Sequence, residues 1–475
     1  MKKKTWILLF LTPILFSIGA FWVLPVYDDY FYLSSPQTNF DMNKFLPNGV
    51  FWRPIDYAFG LLSGLFINLF PFLNHLIIIL AYILTLFETY ILLKRCKIKG
   101  FTLFVSLSLF ICSPMLVATN YSIDSINQVL ANTFGVCSLL VYKDKKWLSY
   151  LFMILAVLSK ESGIAWFAVT PALNEWIIEN KTPLKLNSKS NIIDSLKRIS
   201  YLYCIPILLI IIYTICRSAL FIEGTEITSG RYSSFSLVNA IKGLALLWGS
   251  VITCIDTIAF FIEKNYVVVG LTLIVSFAFL YIILKNIKYK GNVWRIFILL
   301  CSALAISSPH VVIEHPGEMH AYPTLWIFAF SLGILLKDVR WKIHEKVIIY
   351  VFLFVSTIVF FHKAFYIFNN GRQAFSRVRS AVENTPFIPK HVFVLDLDEE
   401  KSIYSVFQIT GKKQWVNGEA TRLYFDYKNP EIIEYRCADI KDKDLILKEI
   451  ISNKGNIECI WIVKNNIVKT IDLRN

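Results

Sequence analysis

Apolar runs about the length of a bilayer-crossing helix alternate along the chain with short segments rich in Lys and Arg. About 20 apolar residues cross a hydrocarbon core of ~30 Å, so each full-length run reads as a membrane span. Residues 6–25 follow Met1-Lys2-Lys3-Lys4 and read as an uncleaved first span. The alternative is a signal peptide, with Ser17-Ile18-Gly19 as a loose cleavage site, and it leaves the next segment on the same side. Residues 56–70 hold Gly60, Gly64 and Asn68 and end at Pro71, the pattern of a helix lying on the outer surface. Residues 71–93 then return inward to Lys94-Arg95-Cys96-Lys97-Ile98-Lys99, a positive-inside anchor.

The alternation continues with an outward span at 101–118, an external loop at 119–127 and a return at 128–141 to Lys143-Asp144-Lys145-Lys146. Residues 147–158 make an unusually short outward span broken at Ser159-Lys160-Glu161-Ser162-Gly163, and 164–178 return to a Lys-rich loop at 181–198. Residues 199–216 exit, leaving Arg217 outside, against the positive-inside bias. The next two apolar runs, 240–262 and 266–284, cannot both cross, because the basic loop at 285–295 must lie inside. The run 240–262 carries Lys242, Gly243, Gly249 and Asp256, so it is expected to be re-entrant or surface-lying and to line a cavity. Spans at 296–308, 322–336 and 347–361 complete about eleven crossings, with the N-terminus in the cytoplasm. From residue 362 the composition becomes that of a soluble α/β domain outside, with strands expected at 391–396 and 457–463 and a helix at 442–452.

Composition fixes the class. Of 475 residues, 56% are hydrophobic and 17% charged, below the roughly 25% charged of soluble domains, and the mean hydropathy is +0.55. The net charge of +14 is accounted for by the loops that set topology, which leaves no reason to invoke a nucleic-acid partner. Six of the nine cysteines lie in apolar runs and behave as small hydrophobes; Cys437 and Cys459 alone are placed where a disulfide is conceivable.

With this topology the charges that have no topological role collect on one side. They are Asp28, Asp29, Arg53, Asp124, Lys160, Glu161, Arg217, Arg231, Glu314 and Glu318, with His310, His315 and His320. Ionisable groups near a bilayer are costly unless they serve a site or pair with one another, and both readings are open here. Lys160 and Glu161 in particular either pair together or line the site. A mixed pocket of this kind can hold an anionic lipid head group while a carboxylate moves a proton.

Several stretches resemble, in order, the motifs of GT-C glycosyltransferases that use polyprenyl-phosphate sugars, the branch that includes protein O-mannosyltransferases and related bacterial enzymes. The acidic pair Asp28-Asp29 follows the first span; Phe51-Trp52-Arg53-Pro54 is similar to an Arg-Pro element opening a surface helix. Pro71-Phe72-Leu73-Asn74-His75 resembles the start of a second span, and Leu158-Ser159-Lys160-Glu161 a Lys-Glu step at a helix break. Glu318-Met319-His320-Ala321-Tyr322-Pro323 is similar to a Glu-Arg-x-x-Tyr-x-Pro motif, with Met319 and His320 where relatives carry Arg. The likeness covers about the first 360 residues.

The resemblance implies a mainly α, polytopic GT-C domain over 1–361, with an external loop at 26–70, and a small extracytoplasmic α/β domain over 362–475. It implies a cytoplasmic-membrane enzyme of cell-envelope glycan chemistry, moving a sugar from a polyprenyl-phosphate donor to an extracytoplasmic glycan, lipid or protein with inversion. Asp28 or Asp29 would be the general base and Arg217, Lys160 and Arg53 would hold the donor phosphate. Asp124, Glu161, Glu318, His320 and Tyr322 would line the site beside membrane lipid. A divalent ion bridging an acid and the phosphate is compatible with this chemistry, although no ligand set stands out. The alternative is a lipid-linked-sugar or polysaccharide transporter or flippase, against which stand the absence of an internal repeat and the placement of charge near one surface.

Overall fold

A computed structural model describes residues 11–25, 29, 41–47, 52–65, 74–180, 189–219, 237–287, 293–311, 317–398, 431–453 and 455–474. The chain forms a helical bundle that carries a small sheet at its C-terminal end. The first span contributes helix α1, Thr12–Ser17, continued by a 3-10 stretch to Trp22. Helix α2, Pro54–Leu65, has Pro54 at its first position, where no N–H is missed, and Asp56 in its first turn beside the positive end of the dipole.

The bundle is built around α3, Leu76–Arg95, α4, Gly100–Cys112, and α5, Ile126–Val141. Packed on them are α6, Lys146–Ser159, α7, Ala165–Ala172, and the long α8, Lys189–Ala219. Helix α9, Leu237–Ile252, precedes α10, Tyr266–Asn286, α11, Val293–Val311, and α12, Tyr322–Leu335. Helix α12 is apolar all round, and Leu325, Trp326, Ile327 and Phe330 are each at most 1% exposed. It therefore occupies the centre of the bundle. Helix α5 is the polar counterpart: its Gln128, Asn132, Thr133 and Ser138 are buried. Hydroxyls tie the helices together where hydrocarbon offers no partner, Thr85 to Thr133 at 2.8 Å and Ser138 to Thr170 at 2.8 Å.

Eleven crossings follow from the apolar pattern, whereas six described helices are both long and apolar enough to cross by themselves. They are Leu76–Arg95, Gly100–Asn120, Lys197–Arg217, Tyr266–Asn286, Val293–His310 and Ile343–Glu383. Breaks shorten the others. Residues 164–178 divide into α7, with Pro171 inside it, and a π-helical turn, Leu173–Ile178, as expected where proline disturbs the ladder. The run 240–262 is broken as well. Helix α9 ends at Ile252, and the Asp256 carboxylate then accepts from the N–H groups of Ile258 (3.0 Å) and Ala259 (3.1 Å) to start a short helix, Thr257–Phe261. These two pieces, the start of α10 and residues 317–318 enclose a cavity of about 240 Å³.

The last helix, α13, runs unbroken from Ile343 to Glu383. The boundary expected at 361/362 therefore falls inside a helix, because the polar residues from 362 onward keep helical spacing of buried positions through Ala364, Ile367, Gly371, Ala374 and Val378. Beyond it lie β1, His391–Asp396, β2, Glu431–Cys437, helix α14, Lys443–Ser452, β3, Cys459–Lys464, and β4, Ile467–Asp472. The sheet order is β2-β1-β3-β4, parallel at both β1 pairings and antiparallel between β3 and β4. Val378 and Ala381 of α13 pack on Val392, Val394, Trp461 and Val468, so the helix is part of the sheet's own core. The conceivable disulfide is ruled out by register. Cys437 stands opposite Asp396 on one side of β1 and Cys459 opposite Val392 on the other. That separates them by roughly 10 Å across strands and roughly 13 Å along them, well beyond the ~7 Å Cα limit for a bridge. Cys459 is a free, buried thiol.

Candidate functional site

Several of the charges singled out in the sequence meet at one end of the bundle. Helix α6 stops at Ser159, Lys160 is extended (φ −156°, ψ 141°), and a 3-10 turn, Glu161–Ile164, leads into α7. In extended backbone neighbouring side chains point to opposite faces, so Lys160 and Glu161 do not pair with each other. Lys160 turns inward, 8% exposed, and its Nζ donates to Asn127 Oδ1 at 2.9 Å. Glu161 turns to Arg53, whose Nε donates to both carboxylate oxygens (2.8 and 2.9 Å) while Nη2 donates to Oε2 at 2.6 Å. The break depends on Gly163, since a Cβ there would lie 2.4 Å from the backbone carbonyl of Ala156.

Burial pushes the Lys160 ammonium down from its ordinary 10.5 to about 8, helped by the Arg53 charge, with Asp124, Glu161 and Asp56 pulling the other way. Asp56, which is 6% exposed, is thus an acid of the site that its place in an amphipathic helix concealed. His320 is held down at about 3, by burial first and then by Lys160. Its Nδ1 lies 3.0 Å from the Gly317 N–H and 3.3 Å from the Gly317 carbonyl oxygen. The His310 ring lies beside it at a tilt of 51°, with centroids 5.3 Å apart, and contacts Gln128.

Asp29 is 1% exposed, and its Oδ1 accepts from Ser122 Oγ (3.2 Å) and from the Asp124 N–H (3.0 Å). Asp29 is in this way fastened to the loop that carries Asp124. Asp28, Arg231, Glu314 and His315 lie outside the described residues. On the far side Trp52 stacks on Tyr213 of α8 at 5.8 Å, and Arg217, one turn further, lies in the same electrostatic neighbourhood as Arg53 and Glu161.

Two expected lining residues point elsewhere. Tyr322 is fully buried in the bundle core, its ring 5.5 Å from that of Phe110. Glu318 faces the 240 Å³ cavity, where it accepts from Thr257 Oγ1 at 2.7 Å and pairs with Lys363. Lys363 is 1% exposed and had no sequence signal, because it follows the last apolar run and reads as the start of a soluble segment. Beside it His362 Nδ1 contacts Asp256 at 2.6 Å and its Nε2 lies 3.2 Å from Glu263. Among the described residues no three His, Cys, Asp or Glu side chains gather as a metal-ligand set.

This geometry can hold a phosphate against the buried Lys160 and the half-buried Arg53 next to an oriented carboxylate. No protein-family model matches the chain, and no curated protein does. Among solved structures it is similar to ArnT from Cupriavidus metallidurans in the apo state, with TM-score 0.50 and 10% identity, over 98% of this chain and 94% of that one. It is also similar to the same protein bound to undecaprenyl phosphate, with TM-score 0.49 and 9% identity, over 99% and 98%. At such identity the likeness speaks for the fold, and it spans both the bundle and the sheet. The chain is a multi-pass membrane protein whose fold is similar to that of ArnT.

Proposed function

We propose that the protein is an integral membrane glycosyltransferase that moves one sugar from a polyprenyl-phosphate donor to an acceptor hydroxyl outside the cytoplasm. The observation that carries this reading is the convergence of Arg53, Lys160 and the anchored Asp29 at one end of a GT-C fold. The acceptor oxygen attacks the anomeric carbon from the face opposite the phosphate, so the configuration inverts. Its proton passes to a carboxylate of the Asp28-Asp29 pair, and the sugar–oxygen bond breaks to release polyprenyl phosphate. Charge then develops on the phosphate oxygens, where fixed cations in a desolvated site act most strongly. Lys160 supplies one such cation, Arg53 a second by loosening from Glu161, and Arg217 a third at the mouth. The two donors to Asp29 Oδ1 fix its orientation.

The test is consumption of polyprenyl-phosphate sugar by purified protein given candidate acceptors, with Asp28→Asn and Asp29→Asn alongside. General-base contributions are typically about 10²–10⁴-fold, so one of the two variants should lose at least that much turnover while still binding donor. Single and double variants that transfer sugar within a few fold of the parent would remove the acidic pair from the mechanism. Intact donor moved across a vesicle membrane would instead establish the flippase.

A further inference from the structure

Between Ile207 and Arg217, helix α8 buries a single side chain, that of Tyr213, which is 8% exposed. Its ring lies flat against Trp52, with centroids 5.8 Å apart and planes within 14° of each other. Trp52 is fixed in turn by its indole N–H, which donates to the Phe45 carbonyl at 3.2 Å. The Tyr213 hydroxyl itself is buried and has no hydrogen-bond partner among the described residues, whereas Tyr203, ten residues earlier on the same helix, donates to the Ala168 carbonyl at 2.9 Å. A buried tyrosine hydroxyl ordinarily finds a partner, and one left without carries the full cost of its desolvation.

The charged groups near Tyr213 are Glu161, Arg217, one turn along the same face of α8, and Arg53, which follows Trp52 in the chain. Glu161 is turned to Arg53, and both of its oxygens accept from that guanidinium. The two arginines bring donors and no acceptor, so they offer nothing to receive the phenolic proton. An anion drawn in by those cations supplies what is missing. Resting on the glycosyl-transfer reading, we infer that the Tyr213 hydroxyl donates to a phosphate oxygen of the polyprenyl-phosphate donor, beside Arg217 and beside Arg53 once it has left Glu161. Tyr213 is then a donor-binding residue on a helix otherwise turned to lipid, and its hydroxyl stays without a partner until the phosphate arrives. A neutral phenol suits the position, because it holds the phosphate without adding to the mutual repulsion of Lys160, Arg53 and Arg217.

Stability and binding should respond differently to loss of this hydroxyl. Tyr213→Phe keeps the ring on Trp52 and deletes the O–H alone, so the free variant should melt no lower than the parent. Polyprenyl phosphate should nevertheless bind it about tenfold more weakly, the scale of one hydrogen bond to a charged group. Full-length protein in detergent is titrated with polyprenyl phosphate, with the polyprenol of the same chain length and with phosphatidic acid, and the melting temperature of the free protein is read alongside. Polyprenol, which has no phosphate, should bind parent and variant alike. A clear fall in the melting temperature of free Tyr213→Phe would mean that the hydroxyl is already satisfied within the protein, and it overturns the inference. Polyprenyl phosphate held as tightly by the variant as by the parent overturns it as well, and so does an equal loss for polyprenol, which would put the hydroxyl on the chain. Phosphatidic acid bound more tightly than polyprenyl phosphate, with the same dependence on Tyr213, overturns it by giving the contact to an ordinary lipid head group. A parent that binds no polyprenyl phosphate removes the glycosyl-transfer reading and the inference together, whereas the other adverse results remove the inference alone.

Discussion

Lys160 is a cation almost wholly removed from water whose Nζ donates to the neutral Asn127 amide oxygen, which makes its charge sensitive to pH and to any arriving anion. Its folded value of about 8 lies below the ordinary 10.5, so between those limits the unfolded chain binds more protons and stability rises with pH. Donor binding should run the other way. A phosphate prefers the ammonium form, so affinity should fall as pH rises through about 8, and Lys160→Gln should flatten that slope in a titration of donor binding. Lys363 gives a different kind of test, since it and Glu318 are an ion pair enclosed in the bundle. Removing one partner of such a pair costs about 3–5 kcal/mol because the other charge is left buried. Lys363→Met should therefore lower the melting temperature sharply, and adding Glu318→Gln should restore most of the loss. Arg53, Lys160 and Asp29 could be named from the sequence because charge beside apolar runs is conspicuous. Asn127, Asp56 and Lys363 could not, since a neutral amide, a helix-start acid and a lysine after an apolar run each have an ordinary explanation.

Among the elements, the hinge between α6 and α7 matters most to the site, because it turns Lys160 and Glu161 to opposite sides. Gly163→Ala would put a methyl carbon against the Ala156 carbonyl, a contact of 2.4 Å that backbone alone must relieve. Overpacking of this kind typically costs about 1–3 kcal/mol. The expected result is a lower melting temperature together with weakened donor binding, as the Arg53–Glu161 and Lys160–Asn127 contacts lose registry. The break itself was legible from Ser159-Lys160-Glu161-Ser162-Gly163, as was the interruption of 240–262, because polar residues and glycine inside apolar runs have few other uses. The continuity of α13 was not. Hydropathy falls at residue 362 while helical periodicity persists, and a reading led by hydropathy places a boundary where the backbone has none. In the sheet, β1, β3 and α14 show their pattern plainly, whereas Glu431–Cys437 breaks the alternation at Ile432-Ile433 and β4 is an edge strand, so neither announces itself.

At the scale of the whole molecule the basic loops predict one orientation. A C-terminal alkaline phosphatase fusion should be active, and a fluorescent C-terminal fusion with silent phosphatase would invert every placement of the site. The unbroken α13 then has a mechanical meaning. Its 41 residues make a rod of about 60 Å, of which a hydrocarbon core takes ~30 Å. The N-terminal segment packs against the C-terminal half of the rod, with the Leu24 carbonyl 2.4 Å from where a Cβ on Gly371 would sit. The sheet is therefore not a tethered domain but the head of a stanchion, and its height above the lipid is set by counting residues. Inserting seven residues after Gln373 should lift the sheet by about 10 Å and turn it by only ~20°, whereas a single insertion should swing it by about 100°. Energy transfer from a dye on the sheet to a membrane dye would register the first as a change of distance at constant geometry.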